Sequence, residues 1–209
     1  SWSPLPKVVY NSTETLALIP GWKNPKPDVP VYAALDLALS GDRAAAVGVR
    51  PTGRWIALGE GEDITGLNAI PEAEIVFMGA VQGRREAQVQ LAEVRQLLYR
   101  LVQAGVWFGK VSADQYQSAD LLQQIRGVGI RAEERSVDRK PDAYVSLRMA
   151  LWKKALAIPP EPLLLAELSG LVQNEKSRKV DHPDQGSKDL ADALAGAYAN
   201  LLDDAAGLR

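Results

Sequence analysis

VYAALDLALS (residues 31–40) is followed by GDR (41–43), AAAVGVR (44–50), PTGR (51–54) and WIALGEG (55–61). Three short apolar runs are thus separated by segments rich in glycine, proline and charged residues, which favour turns. Runs of this length and composition are typical of strands. The stretch therefore predicts three consecutive strands joined as an antiparallel meander.

The rest of the chain alternates between strand-like and helix-like patterns. After an extended segment at 74–81, the apolar spacing predicts a helix at 84–104, a strand at 107–114, a helix at 118–127, a strand at 130–137 and helices at 142–156, 163–175 and 188–204. A strand, a helix and a second strand in this order form a parallel pair. The predicted class is therefore α/β, with a mixed sheet of meander and parallel strands flanked by helices.

Prolines are concentrated before this region. Six of them occur within residues 1–30, and such density favours extended backbone and removes hydrogen-bond donors. We interpret 1–30 as a linker or arm, in which segments 8–10 and 16–19 could add edge strands or dock on a neighbour. Residues 31–209 are then expected to form one domain.

Composition narrows the possible functions. The 209 residues include no cysteine and one histidine, which excludes disulfide scaffolds, zinc–thiolate sites and most multi-histidine metal sites. No apolar run approaches the ~18 residues that a membrane span needs, so no membrane partner is expected. The net charge of -2 argues against binding nucleic acid by bulk charge, so any polyanion must be held by a local basic patch.

Two common enzyme motifs are missing from the sequence. GVWFGK (105–110) lacks the glycine spacing of a P-loop, and Val111 follows it where a magnesium-binding hydroxyl would be needed. No G-x-S-x-G elbow precedes a helix, and His182 has no serine placed to form a hydrolase triad. A P-loop ATPase is therefore excluded, and a hydrolase triad is unsupported.

Acidic residues from three distant parts of the chain are candidates for one site. Asp36 interrupts an apolar run, Asp114 ends a strand of the parallel pair, and Asp189 and Asp192 begin the last helix one turn apart on one face. Carboxylate oxygens are the ligands that Mg²⁺ and Mn²⁺ prefer, and a pair of such ions suits phosphodiester hydrolysis. Each residue also has a plainer interpretation: Asp36 as an exposed edge residue, Asp114 as a turn residue, and the last two as partners of the helix dipole.

Three segments together resemble a known family. ALDLALSGDRAAAVGV (34–49), VSADQYQSADLLQQIRGVGI (111–130) and HPDQGSKDLADALAGAYANLL (182–202) are similar to the C-terminal nuclease domain of the large terminase subunit of tailed bacteriophages. The resemblance covers about residues 31–202 and implies a ribonuclease H-like fold. It also implies an isolated nuclease domain, with 1–30 as the connection to an N-terminal packaging ATPase.

The resemblance assigns roles to the acidic residues. Asp36 corresponds to the metal ligand of the first strand and Asp114 to the acid of the fourth, while Asp189 matches the C-terminal ligand ahead of Asp192. One Mg²⁺ or Mn²⁺ ion would then lie between Asp36 and Asp114, to position the phosphate and activate water. A second would lie between Asp36 and Asp189, to stabilise the leaving 3′ oxygen.

Two further residues are expected near this site. Asp42, in the Ser-Gly-Asp turn, would support the ligands or simply shape the turn. His182 would orient a water or a phosphate, although a lone histidine in a polar segment is more often a surface residue.

The implied activity is a metal-dependent endonuclease that cuts double-stranded DNA to generate viral genome ends. Its implied partners are DNA, the packaging ATPase of the full-length protein, the portal and the small terminase subunit. Its implied location is the host bacterial cytoplasm and, transiently, the procapsid portal. Candidate DNA contacts are the basic residues before two of the helices, Arg135, Arg139, Lys140, Arg178, Lys179 and Lys188.

Two alternatives remain open at this point. The same fold could serve a Holliday-junction resolvase or another ribonuclease H-like nuclease. The chain could instead be a non-catalytic docking module of the packaging motor, with Trp2 and Trp22 among its contact residues.

Overall fold

A computed structural model describes residues 7–9, 28–37, 43–59, 68–82, 91–114, 118–137, 142–174, 179–182 and 186–205 of the chain. The strands are β1 (Lys7–Val9), β2 (Val31–Asp36), β3 (Arg43–Ala57), β4 (Ala69–Gln82), β5 (Phe108–Ala113), β6 (Ala132–Glu134), β7 (Leu156–Ala157), β8 (Val172–Gln173) and β9 (Val180–Asp181). The helices are α1 (Leu91–Gln103), α2 (Ala119–Gly127), α3 (Asp142–Trp152), α4 (Pro162–Gly170) and α5 (Asp189–Asp204).

One mixed sheet organises these elements, in the order β1-β4-β3-β2-β5-β6, with β7 also paired to β4. β2, β3 and β4 form an antiparallel meander, whereas β5 runs parallel to both β2 and β6. β8 and β9 form a separate antiparallel pair. The predicted α/β class is confirmed, with the meander, the parallel strands and the flanking helices of a ribonuclease H-like fold.

The meander differs from the prediction in its strand bounds. Segments 44–50 and 55–61 were expected to be separate strands, but β3 runs continuously from Arg43 to Ala57. The third strand of the meander is β4, which contains the extended segment predicted at 74–81. The expected turn at 51–54 lies inside β3.

A bulge explains why this segment does not turn. Pro51 pairs with Ala73 and Trp55 with Pro71, so three residues of β3 lie opposite Glu72 alone. Gly53 takes a positive φ of 88°, which glycine adopts without strain. The Glu72 side chain accepts hydrogen bonds from the side chains on both sides of that glycine, Thr52 and Arg54. These contacts hold the extra residues within the ladder.

Helix α3 is shorter than its predicted span of 142–156. Lys154 has a φ of 56°, and the backbone N–H groups of Ala155 and Lys154 donate to the carbonyls of Ala150 and Leu151. This pattern is a Schellman motif, which ends a helix. Leu156 is then free to pair with Ala73 as part of β7.

Other elements also differ from their predicted bounds. Helix α4 ends at Gly170, before the predicted end at 175, because Leu171 is extended and leads into β8. β6 covers 132–134 of the predicted 130–137. Helix α1 is described from Leu91 onward, so the predicted start at 84 lies outside the described residues. Helices α2 and α5 agree with prediction to within one residue at each end.

Residues of β2 alternate between two cores, one on each face of the sheet. Tyr32 and Ala34 belong to the core shared with α3, α4 and α5, while Val31, Ala33 and Leu35 belong to the core shared with α1 and α2. A strand buried on both faces has a continuous apolar sequence, which explains the run at the start of this region. By the same alternation, Asp36 lies on the face that carries α5.

Helix α5 packs across β2 and is held by polar contacts along its length. The Asn200 amide, fully buried, donates to the Ala33 carbonyl and the Ser112 hydroxyl, both at 2.8 Å. Near its C-terminal end, Asp203 accepts from the buried Lys110 ammonium at 2.8 Å and also from Arg135. The helix is therefore fixed against β5 and against the residue that follows β6. No helix within the described residues is long and apolar enough to span a membrane.

Candidate active site

Asp36 and Asp114 lie at the same edge of the sheet because their strands are parallel neighbours. Leu35 of β2 pairs with Ala113 of β5, and each aspartate is the next residue of its chain. The carboxyl ends of adjacent parallel strands form the edge at which open α/β sheets bind ligands. The structure therefore brings the first two predicted acids together.

Asp192 reaches the same place from the first turn of α5. A cavity of about 20 Å³ is lined by Asp36, Asp114, Asp192, Ser112, Gly196, Ala34, Leu35, Arg135, Val137 and Ala193. That volume is enough for roughly one water molecule or one ion. Carboxylates from two strands and one helix thus converge on a single small space.

The electrostatic environment of this cavity changes the pKa of Asp36. The pKa of Asp36 is raised to about 8, mainly by burial and in addition by the negative charges of Asp192, Asp189 and Asp114, against an opposing effect from Lys188. Desolvation and like charges both disfavour the ionised carboxylate. The cluster is therefore short of positive charge, which is the condition under which a divalent cation binds well.

Two neighbours hold Asp192 in place. The Lys188 ammonium lies 2.8 Å from Asp192 Oδ2, and the Tyr144 hydroxyl of α3 donates to Asp192 Oδ1. Lys188 is only 8% exposed and Asp192 only 9%, so this pair is withdrawn from solvent. Both carboxylate oxygens are thus oriented by side chains from the protein.

Asp189 occupies a different position from Asp192. It is half-buried at the start of α5 and does not line the cavity, although its charge raises the pKa of Asp36. Across the part of the chain that the structure describes, no three His, Asp or Glu side chains have the spacing of a metal-binding group. The acids converge on one cavity without forming a closed set of ligands in this arrangement.

Asp114 has polar support from two serines. Its backbone carbonyl accepts a hydrogen bond from the Ser118 hydroxyl, and its Oδ2 atom lies 3.4 Å from the Ser136 hydroxyl, which donates to it. The first contact joins the end of β5 to the residue that precedes α2. The position of Asp114 is therefore set by the turn as well as by the strand.

Glu167 is a site-supporting residue that the sequence interpretation missed. This glutamate of α4 is 4% exposed and accepts hydrogen bonds from the Ser187 hydroxyl at 2.7 Å and the Ala191 backbone N–H at 3.0 Å. It therefore caps the N-terminus of α5 from another helix. Its signal in the sequence is the one charged residue in the mainly apolar helix PLLLAELSG (162–170).

The two residues expected beside the ligands have different outcomes. Asp42 lies outside the described residues. His182 follows β9, is half-buried, and its backbone N–H donates to Asp181 Oδ1 at 3.0 Å. It is not among the residues that line the cavity. A role for His182 at the site stays a prediction.

The candidate DNA contacts that the structure describes are paired with acids. Arg135 donates to Asp203, Lys179 lies 3.2 Å from Asp181, and Lys188 pairs with Asp192. The buried Arg135 Nε has no hydrogen-bond partner among the described residues. The other three candidates, Arg139, Lys140 and Arg178, lie outside those residues.

Comparison with solved structures identifies the fold. The large terminase nuclease from thermophilic phage G20c with bound magnesium superposes with a TM-score of 0.60 and 17% identity, covering 93% of this chain and 92% of that one. The fold is that of terminase nuclease domains. No protein-family model matches the sequence, and no curated protein is similar enough to count as a relative.

Two other terminases extend the comparison. The nuclease domain of the SPP1 large terminase with bound manganese has a TM-score of 0.50 and 13% identity, over 81% of this chain and 85% of that one. The HK97 bacteriophage large terminase has a TM-score of 0.58 and 11% identity, over 85% of this chain but only 40% of that longer chain. The terminase nuclease fold thus recurs here at low sequence identity.

Proposed function

We propose that this chain is a divalent-metal-dependent endonuclease that hydrolyses phosphodiester bonds of double-stranded DNA, acting as the nuclease part of a phage large terminase that generates genome ends. The observation that carries the proposal is the convergence of Asp36, Asp114 and Asp192 on one small cavity at the carboxyl edge of the sheet. Solved terminase nuclease domains with bound magnesium and manganese support the same use of divalent ions.

The residues at this cavity fit Mg²⁺ or Mn²⁺ by their chemistry. Their side chains offer carboxylate oxygens, and the raised pKa of Asp36 indicates a shortage of positive charge. We propose two ions with Asp36 as their shared ligand: one in the cavity, held with Asp114, and a second beside it, held with Asp189 or Asp192. Bound ions would supply activation of water and stabilisation of the leaving 3′ oxygen.

The chain's own residues give the site its shape. Asp36 and Asp114 are positioned by paired strands, and Asp192 is oriented by Tyr144 and Lys188. The Glu167 cap fixes the start of the helix that carries Asp192. We further propose His182 as a group that orients a phosphate or a water, and Asp42 as a supporting residue.

The proposed domain organisation follows the same interpretation. Residues 1–30 would form an arm and 31–209 the nuclease domain, in a longer protein that also carries the packaging ATPase and meets the portal and small subunit. The longer chains of complete terminases with this fold are consistent with such an arrangement. The protein would then act in the host bacterial cytoplasm and, transiently, at the procapsid portal.

Cleavage of supercoiled plasmid with Mn²⁺ tests the proposal. Asp36→Asn and Asp114→Asn should each reduce the nicking rate by about a hundred-fold or more, because each removes a carboxylate that would hold an ion. The matched control is Asp120→Asn, which changes an exposed aspartate on α2. Nicking at the wild-type rate by either site variant would reject the assignment.

The same assay decides between the two acids of α5. Asp189→Asn and Asp192→Asn are compared at equal Mn²⁺ concentration, and the larger loss marks the main ligand. Linear duplex, four-way junction and RNA/DNA hybrid substrates are compared in parallel. Preference for the junction or the hybrid would favour the resolvase or ribonuclease H alternative, and no nicking at all would favour a docking module.

DNA binding is tested separately from cleavage. Charge reversal at Arg178 and Lys179 should weaken duplex binding and reduce the dependence of affinity on salt, if these residues contact phosphates. Arg135, Arg139 and Lys140 form the second group to be reversed. If the dependence of DNA affinity on salt is unchanged in both groups of variants, the DNA contacts lie elsewhere on the protein.

A further inference from the structure

A buried lysine lies inside the cluster of carboxylates. Lys188, the residue before α5, is 8% exposed, and its ammonium lies 2.8 Å from Asp192 Oδ2. A lysine is rarely buried unless its charge is paired, because removing an ammonium from water is costly. The sequence interpretation placed Lys188 among the DNA contacts, but in this structure its charge faces the acids.

The position of Lys188 matters because Asp192 is a candidate ligand. Tyr144 already donates to Asp192 Oδ1, so the ammonium engages the other oxygen of the same carboxylate. A divalent ion that used Asp192 would meet the Lys188 charge at close range. Two cations a few ångströms apart in a site withdrawn from solvent repel each other strongly.

We propose that Lys188 is the internal counter-ion of the carboxylate cluster, that a divalent ion displaces its ammonium from Asp192, and that the released lysine then binds a DNA phosphate. The proposal rests on the proposed function, since it assigns the ion to the same site. It goes beyond the proposed function because it couples metal binding to the exposure of a residue that binds phosphate.

This arrangement links metal binding and DNA binding thermodynamically. If the ion and the Lys188 contact exclude each other, each bound ion frees one cation for DNA, and DNA in turn favours the ion-bound state. Metal binding would thus increase the affinity of the protein for DNA. Lys188 acts through Asp192 on metal binding and is a positioning residue in that respect.

Lys110 provides a matched control. It is also a buried lysine, 5% exposed, and its ammonium lies 2.8 Å from Asp203 at the opposite end of α5. Lys110→Gln and Lys188→Gln therefore each remove a buried ammonium that pairs with an aspartate of α5, although Asp203 is the more exposed of the two aspartates. Of these two lysines, only Lys188 forms an ion pair with a residue that lines the cavity.

The first measurement is Mn²⁺ affinity by calorimetry in the absence of DNA. Lys188→Gln should bind Mn²⁺ about ten-fold more tightly than the wild type, because the competing charge is gone. Lys110→Gln should bind Mn²⁺ like the wild type. Lys188→Arg keeps the charge and should stay near the wild-type affinity, and Lys188→Met repeats the neutral substitution if the glutamine variant does not fold.

The second measurement is affinity for a short DNA duplex with and without Ca²⁺, an oxygen-seeking ion. Wild-type protein should bind DNA more tightly when Ca²⁺ is added, and Lys188→Gln should lose most of that gain. Lys110→Gln should keep it. A Ca²⁺ effect of equal size in Lys188→Gln would overturn the DNA part of the proposal.

The outcomes separate this inference from the proposed function. If the wild type binds Mn²⁺ and Asp36→Asn does not, but neutral Lys188 variants bind Mn²⁺ no more tightly than the wild type, the counter-ion role is wrong and the metal site stands. If the wild type binds no Mn²⁺, or Asp36→Asn binds it equally well, the proposed site and the counter-ion role both fail.

Discussion

Gly196 of α5 lies directly against Ala34 of β2, so that a Cβ atom on Gly196 would be only 2.8 Å from the Ala34 Cβ. Asp192 is four residues earlier on α5 and therefore on the same face of the helix. Asp36 is two residues after Ala34 and on the same face of the strand. The close approach of helix and strand thus brings these two carboxylates to one cavity.

Gly196→Ala should disturb this approach. The added methyl group requires helix and strand to separate, which we expect to cost about 1–3 kcal/mol of unfolding free energy despite the better helix propensity of alanine. Because Asp192 moves away from Asp36, Mn²⁺ affinity should fall as well. Denaturant unfolding and Mn²⁺ calorimetry measure the two effects.

Gly48→Ala is the control for that prediction. A Cβ on Gly48 would overlap the Phe77 ring, in the core on the opposite face of the sheet. This variant should lose stability but keep the wild-type affinity for Mn²⁺. Equal losses of metal affinity in both variants would mean that the helix–strand distance at Gly196 has no special role.

Asp36→Asn should stabilise the metal-free protein in alkaline buffer. The fold raises the Asp36 pKa from 3.8 to about 8, so the folded chain holds a proton that the unfolded chain has lost between these pH values. Stability attributable to Asp36 therefore falls as pH rises through this window, by no more than about 6 kcal/mol. The asparagine variant lacks this dependence.

Thermal unfolding in EDTA at several pH values checks this prediction. Above about pH 8 the variant should melt at a higher temperature than the wild type, and the difference should shrink towards about pH 4. Asp120→Asn, on the exposed face of α2, should follow the wild-type curve. A wild-type curve that rises over this range would contradict the raised pKa.

Mn²⁺ affinity should depend on pH through the same carboxyl group. Because Asp36 must lose its proton to bind an ion, affinity should rise by up to about ten-fold per pH unit until about pH 8 and then level off. Proton release on binding is measured by calorimetry in buffers with different ionisation enthalpies. Release should be close to one proton below the pKa of Asp36, and no release would count against this prediction.

Glu167→Ala should weaken the start of α5. The variant leaves the Ala191 N–H and the Ser187 hydroxyl without their carboxylate acceptor, at an expected cost of roughly 2–3 kcal/mol. Glu167→Gln retains one acceptor oxygen and should cost less. Urea unfolding gives both values, and Glu134→Ala, at an exposed position, should change stability little.

Part of the fold could be predicted because it depends on local pattern. The apolar run predicted the start of β2, although the strand ends at Asp36 and not at 40, the helical spacing of α5 gave nearly correct bounds, and the parallel pair followed from the order of elements. The bulge in β3 could not be predicted, since it depends on Glu72, 18 residues away from Arg54. Local turn signals at 51–54 were therefore misleading.

At the candidate site, too, some features could be predicted from local pattern and others depend on packing between distant segments. Asp36 and Asp114 could be placed together because both end strands at one sheet edge. The choice between Asp189 and Asp192 depends on how α5 rotates against the sheet, which the sequence does not reveal. The contact of Glu167 with α5 and the burial of Lys188 depend on packing between distant segments in the same way.

Helix α5 is anchored at both of its ends by polar contacts to other elements. At the start, Tyr144 of α3 and Glu167 of α4 bind Asp192 and the Ala191 N–H, and about 16 Å further along the axis Asp203 is bound by Lys110 and Arg135. Sliding the helix along the sheet would break contacts at both ends together. Adjustment of the carboxylates to an incoming ion therefore has to come from rotation of side chains about their own bonds, so the site can change its coordination while the backbone beneath it keeps its shape.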